Sequence, residues 1–176
     1  RFKRASEMRK DNGEVRNNYG RVLVRLGRNR EAEVQLKEAV RLAPGLAEPH
    51  LNLGILYDSE KRTAEAEAEF AKAYEMDPGL AEASFRLGSA QLSRAQEADR
   101  AGDLKASVAA IMKARGFFQK AVDSNAGYTE ARYNLTLTLL QTRSLDAAAS
   151  NARELVKRNP TGAQNQFLLG TIEVQR

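Results

Sequence analysis

The sequence contains no cysteine, no tryptophan and a single histidine, His50. Without cysteine the chain cannot form disulfides or thiolate metal sites. One histidine excludes metal sites built from several imidazoles and leaves any Ser/His/Asp triad dependent on that residue. No apolar run approaches the roughly 20 residues that a helix needs to span a bilayer. These absences argue against a metal-dependent or membrane-spanning protein, and they indicate no compartment.

The residues that are abundant favour helices. Only four prolines interrupt the 176 residues, and the hydrophobic content of 42 % is near the globular norm. Alanine, leucine, glutamate and arginine are frequent, and all four have good helix propensity or tolerate helices well. The composition therefore predicts an ordered, helix-rich chain and not a disordered one.

Positive charge is concentrated at one end of the chain. Residues 1–30 contain ten Lys or Arg and three Asp or Glu, whereas the whole chain has a net charge of only +5. A basic end of this kind can meet an acidic protein, an anionic membrane surface or nucleic acid. Only Phe2 and Tyr19 could stack on bases there, and both fit packing positions, so we expect no nucleic-acid partner.

The sequence repeats itself with a fixed period. Pro44 and Pro78 lie 34 residues apart, and Gly20, Gly54 and Gly88 follow the same step. Alanine and large apolar residues recur at the same interval. A period of this length is typical of stacked pairs of helices, in which each pair buries its apolar face against its neighbours.

The period lengthens once. Ala66 is followed by its equivalent Ala114 after 48 residues, and by Ala148 after a further 34, so one repeat carries 14 extra residues. The inserted stretch has no proline and remains rich in helix formers. We predict that both helices of this repeat grow by about two turns, since 14 residues is close to four turns of about 3.6 residues. The alternative is a loop.

Three segments resemble the opening of tetratricopeptide (TPR) repeats. They are residues 15–20, 51–57 and 85–88, which read VRNNYG, LNLGILY and FRLG. The later Ala, aromatic or Leu, Ala and Pro columns complete the resemblance. Departures are Thr136, where the family has Gly, Ala152, where it has a bulky residue, and the four residues Arg16, His50, Ser84 and Arg132, where it often has Trp.

The resemblance implies an all-α fold, a right-handed α-solenoid of helix–turn–helix repeats in one domain over residues 1–176. We expect residues 1–12 to be the second helix of a preceding repeat, and residues 163–176 the first helix of a further one, so the chain reads as a window on a longer array. The repeats between them are 13–46, 47–80, 81–128 with the insertion, and 129–162. Helices are predicted over residues 1–10, 14–26, 29–42, 47–59, 63–76, 81–100, 103–123, 129–142, 145–158 and 163–175.

In the TPR family the first helix of each pair lines a concave face. The resemblance therefore implies a groove that binds a peptide or helix of a partner, with apolar and acidic segments as the matching chemistry. The alternative is that these side chains pack within the array. The predicted groove residues are Asn17, Arg21, Arg25, Leu51, Asn52, Ile55, Phe85, Arg86, Ser89, Tyr133, Leu137 and Leu140.

Some family members hold a carboxylate in a clamp of Lys, Asn and Arg residues. Only Asn52 and Arg86 occupy clamp positions here, and Glu82 at another would repel a carboxylate, so we expect no such clamp. His50 is predicted to be a surface residue. Glu65, Glu67 and Glu69 are predicted to form a solvated, ion-paired surface.

We expect no catalytic residue, no cofactor and no metal, because the sequence has no phosphate-binding glycine loop, nucleophile elbow or ligand cluster. The chain is interpreted as a protein-interaction scaffold. The alternatives are the TPR arm of a larger enzyme or of a secretion or assembly complex, binding to a membrane surface through the basic end, and self-association through open repeat ends. For the last, Leu168, Leu169 and Ile172 are predicted to lack a partner helix.

Overall fold

A computed structural model describes the backbone of residues 2–176 and the side chains of residues 12–176. Over this part of the chain the structure consists of nine α-helices and no strands, which confirms the predicted all-α fold. The helices are α1 (Phe2–Arg25), α2 (Asn29–Leu42), α3 (Glu48–Ser59), α4 (Thr63–Met76), α5 (Ala81–Arg100), α6 (Leu104–Ser124), α7 (Thr129–Gln141), α8 (Leu145–Arg158) and α9 (Ala163–Gln175).

Helix α1 differs from the prediction, because the two helices expected over residues 1–10 and 14–26 are one continuous helix of 24 residues. Gly13 lies between the two predicted helices. A Cβ added at Gly13 would lie 2.5 Å from the Cβ of Ala43. Gly13 therefore permits a close approach of α1 to the end of α2, and the predicted break is wrong. The other predicted helix ends agree with the structure to within one residue.

Small residues let paired helices pack closely, as the repeat columns predict. A Cβ added at Gly54 of α3 would lie 2.5 Å from the ring of Phe70 and 3.1 Å from the carbonyl oxygen of Ala66, both in α4. Ala66, Phe70 and Ala73 are buried in the contact. Interiors packed this densely leave no room for an additional carbon atom.

The 14-residue insertion lengthens helices α5 and α6. They are 20 and 21 residues long and are joined by a short turn at residues 101–103. Gly102 in this turn has a φ of +76°, a conformation that favours glycine. The side chain of Asp103 then caps α6 by accepting a hydrogen bond from the backbone N–H of Ala106 at 2.9 Å. The alternative of a loop is thereby excluded for this stretch.

The helices group into two compact units, one ending at Ala83 and the other spanning Ser84–Arg176. In the first unit, Arg62 lies over the ring of Tyr57, 4.0 Å from its centroid. The Tyr57 hydroxyl donates to Glu33 Oε1 at 3.0 Å. This network ties α2, α3 and the start of α4 together. In the second unit, Phe118, Leu135 and other residues of α6 to α9 form one hydrophobic core.

Among the described residues, no helix has a stretch that is both long and apolar enough to cross a membrane.

Candidate interaction surface

Five predicted groove residues meet in the first unit, on the neighbouring first helices α1 and α3. Arg21, Arg25, Leu51, Asn52 and Ile55 line a cavity of about 320 Å³ together with Val24 and Glu82. Two positive side chains therefore border a floor of aliphatic carbon.

A second cavity of about 440 Å³ adjoins the first. The two share Arg21, Leu51 and Asn52, so they form one continuous depression, here called the α1–α3 groove. The residues that line only the second cavity are Glu14, Asn17, Asn18, Leu46, Glu48 and Leu80.

Asn17 and Asn52 connect α1 and α3 beneath the groove. Asn52 Nδ2 donates a hydrogen bond to Asn17 Oδ1 at 2.8 Å, and the two residues are only 8 % and 9 % exposed. A buried polar group of this kind is costly unless it has a partner. The bond therefore fixes the spacing of the two helices that form the groove.

The charges of the α1–α3 groove are distributed unevenly along it. Arg21 and Arg25 are exposed and lie four residues apart on α1, which places them on one face of the helix. Arg21 also donates to Asn18 Oδ1 at 3.4 Å. Glu14 and Glu48 line the other cavity and are exposed as well. One cavity thus has two cations and one carboxylate, Glu82, whereas the other has two carboxylates and one cation.

The predicted groove residues of the second unit are partly used in packing. Phe85 is half-buried, and its ring centroid lies 5.8 Å from that of Phe118 and 5.0 Å from that of Tyr128. Ser89 donates through its hydroxyl to the carbonyl oxygen of Phe85 at 3.0 Å. The remaining members are half-buried too, and the apolar ones pack on the core of this unit; they are Arg86, Tyr133, Leu137 and Leu140. Each still has an exposed part that a partner could contact.

His50 is not the surface residue that the sequence predicted. Its side chain is only 13 % exposed, and its Nδ1 atom lies 2.5 Å from Glu69 Oε2. Lys72 donates to the other oxygen of Glu69 at 2.7 Å. Burial raises the pKa of the Glu69 carboxyl, but the hydrogen bonds from His50 and Lys72 outweigh it and hold this pKa below its usual range. Glu69 therefore belongs to a half-buried cluster and not to the predicted solvated surface, whereas Glu65 is 54 % exposed.

The pair of His50 and Glu69 is one case of a recurring contact. Within the described residues, three polar pairs join the first and second helix of a repeat across 19 residues. They are Arg16 with Gln35 at 2.5 Å, His50 with Glu69 at 2.5 Å, and Arg132 with Asn151 at 3.0 Å. Their first members occupy the column in which TPR repeats often have Trp. These pairs share a sequence spacing of 19 residues, a polar pattern that the apolar columns of the repeat do not contain.

The apolar residues expected to be open at the end of the chain are buried. Leu168 and Ile172 are 5 % and 0 % exposed and belong to the core of the second unit, and Leu169 packs partly against it. The prediction that these residues lack a partner helix is wrong for Leu168 and Ile172, because they lie in a core shared with residues of α6, α7 and α8, whereas Leu169 is half-buried. Phe167 and Val174 are the exposed large hydrophobic residues of α9, at 78 % and 89 %.

No group of three or more His, Cys, Asp or Glu side chains among the described residues is arranged to hold a metal ion.

Comparison with known proteins agrees with this geometry. A sequence profile described as Tetratricopeptide repeat matches residues 18–81. No curated protein matches the chain significantly in sequence.

Several solved structures share the fold. A structure of pilF from Pseudomonas aeruginosa is 19 % identical, with a TM-score of 0.69, and the alignment covers 95 % of this chain and 70 % of that one. YrrB, described as a TPR protein with an unusual peptide-binding site, is 21 % identical with a TM-score of 0.68, over 99 % and 82 % of the two chains. MamA from Desulfovibrio magneticus RS-1 is 22 % identical with a TM-score of 0.69, over 94 % and 85 %. Residues 18–81 therefore match the tetratricopeptide repeat, and the chain shares the all-α TPR solenoid fold of these structures.

Proposed function

We propose that the chain is a non-catalytic scaffold that binds a peptide of a partner protein in the α1–α3 groove. The TPR fold supports a role in protein–protein interaction in general. The observation that carries the proposal of a groove is the cavity in which Arg21 and Arg25 border Leu51 and Ile55. Glu82 also lines this cavity, but the two arginines leave the lining with a net positive charge, so it matches a peptide that carries an apolar side chain beside acidic residues.

The apolar floor and the charged rim of the groove would contribute to binding in different ways. Burying apolar surface contributes about 25 cal/mol per Å² removed from water. Arginine binds carboxylates in a geometry that can be bidentate, which adds direction to the attraction. Affinity would come mainly from the side chain on the floor, and preference for acidic neighbours from Arg21 and Arg25.

A relative with the same fold supports the proposal by analogy. YrrB is described as having a peptide-binding site, although its identity to this chain is 21 %. The analogy concerns the kind of ligand only, and the residues proposed here come from the cavity of this chain.

The experiment is a selection of peptides from a random display library on the immobilised chain. We expect the enriched peptides to combine a large apolar residue with Asp or Glu. A synthetic copy of one enriched peptide is then titrated by fluorescence anisotropy. The double variant Arg21→Glu/Arg25→Glu should bind it roughly tenfold more weakly, which corresponds to about 1.4 kcal/mol.

A control variant of equal charge separates contact from net charge. Arg30 and Lys105 are exposed and do not line the α1–α3 groove. The variant Arg30→Glu/Lys105→Glu should bind the peptide as the unchanged chain does, and circular dichroism should show the same helicity for all three proteins. Equal affinity of both double variants, or an enriched set without acidic residues, would contradict the proposal.

A further inference from the structure

The distribution of charge along the α1–α3 groove restricts its ligand further. We infer that the groove binds an extended peptide with an acidic residue at one end, an apolar residue in the middle and a basic residue at the other end. This inference rests on the proposed function. It adds a basic residue to the ligand and specifies the order of the acidic, apolar and basic residues along the peptide. Arg21 and Arg25, which outnumber Glu82 in their cavity, would hold the acidic side chain, and Glu14 and Glu48 would hold the basic one.

The acidic end of the groove is a cavity, as the basic end is. Glu14 and Glu48 line a cavity of about 440 Å³ whose apolar wall includes Leu46, Leu51 and Leu80. A basic side chain there would place its aliphatic stem against leucine and its charge beside two carboxylates. Lys and Arg side chains commonly bind in this divided manner.

The middle of the groove favours an extended ligand. Asn52 lines both cavities and is only 8 % exposed, and its Nδ2 group donates to Asn17. The side-chain oxygen of Asn52, Oδ1, has no hydrogen-bond partner among the described residues, so it can accept a hydrogen bond from a ligand. An extended peptide has free backbone N–H groups to donate, whereas those of a helix are used within the helix.

The positions of the charged residues on α1 give the distance between the acidic and the basic end of the groove. Glu14 precedes Arg21 by seven residues and Arg25 by eleven, which is about 10 to 16 Å along a helix that rises about 1.5 Å per residue. An extended peptide covers about 3.3 Å per residue. The acidic and basic residues of the ligand should therefore be about three to five positions apart.

The first test uses the peptides that the display selection enriches. The inference expects a Lys or Arg at a fixed side of the acidic residue and about three to five positions from it. Basic residues at random positions, or on both sides equally, would overturn the order. A spacing of seven to eleven positions would indicate a helical ligand instead and would overturn the extended form.

The second test measures the coupling between Glu48 and the basic residue. One enriched peptide is synthesised as selected, with its basic residue changed to Ala, and with it changed to Glu. Glu48→Lys should weaken the selected peptide by about three- to fivefold and leave the Ala peptide unchanged, because exposed charge pairs contribute at most about 1 kcal/mol. The Glu peptide should bind Glu48→Lys more tightly than it binds the unchanged chain, and the coupling should shrink at high salt.

Glu48→Gln and circular dichroism serve as controls, because Glu48 lies in the first turn of α3 and a lysine there opposes the helix dipole. Equal effects of Glu48→Lys on all three peptides would overturn the inference. A peptide that depends on Arg21 and Arg25 but not on Glu48 would retain the proposed function and refute the bipolar ligand alone. A failure to select any peptide would refute both.

Discussion

Two glycines of the second unit should respond in opposite directions to the same substitution by alanine. Gly88 lies within α5, and an added Cβ would be 2.7 Å from Cε1 and 2.9 Å from Cδ1 of Phe118. Gly116 lies within α6, and an added Cβ would have no neighbour within 4 Å. Both changes replace a helical glycine by alanine, so the gain in helix propensity is the same for both. They differ in whether the added carbon atom clashes with a neighbouring side chain.

The shared term is helix propensity, which favours alanine over glycine by about 0.5–1 kcal/mol. Gly116→Ala should therefore stabilise the chain by about that amount. At Gly88 the added carbon must displace the ring of Phe118, which is fully buried. Overpacking of this kind costs about 1–3 kcal/mol, so Gly88→Ala should be net destabilising, and the two variants should differ by about 1–3 kcal/mol.

Urea denaturation followed by circular dichroism measures this difference. We expect the unfolding midpoint of Gly116→Ala to rise and that of Gly88→Ala to fall, with similar slopes. A rise of equal size for both variants would refute the argument that the glycine column exists because the helices touch.

Two other substitutions test contacts described above. Glu69→Gln should flatten the acid limb of the stability–pH curve: the folded-state pKa of Glu69 is lowered, so its ionised form stabilises the fold above the usual carboxyl range, and this contribution is lost as the pH falls through the lowered pKa. Denaturant titrations over a pH series measure it, and an unchanged acid limb would argue against the contact with His50. Asn17→Ala and Asn52→Ala should each cost about 1–3 kcal/mol, because each leaves a buried amide unpaired. The double variant should cost clearly less than their sum, whereas additive costs would show that the two amides do not interact.

Helix ends were predictable because proline, glycine and alanine recur at one period. The continuity of α1 was not, since Gly13 is a turn residue by type and a contact residue by position. Its role depends on Ala43, which lies 30 residues further on. A residue type alone does not distinguish the two cases.

About half of the residues that line the α1–α3 groove could be predicted from the sequence. Arg21, Arg25, Leu51 and Ile55 follow from the first-helix columns of the family. The acidic end was not predicted, because Glu14 and Glu48 lie at or near the beginning of a repeat's first helix, outside the columns that the family resemblance places on the concave face. The contact of His50 with Glu69 likewise depends on how far one helix is rotated toward the next, which a hydrophobic pattern leaves open.

The lengths of α5 and α6 show how a repeat can grow without disturbing its own contacts. Each is seven residues longer than its counterpart, α7 with 13 residues and α8 with 14. Seven residues turn a helix through nearly two full rotations and leave its faces displaced by only about 20°. Five extra residues per helix would instead rotate the helix ends by about 140°, so a short turn such as that at residues 101–103 would no longer join facing sides of the two helices. Growth in steps of seven is therefore the increment that this architecture accommodates.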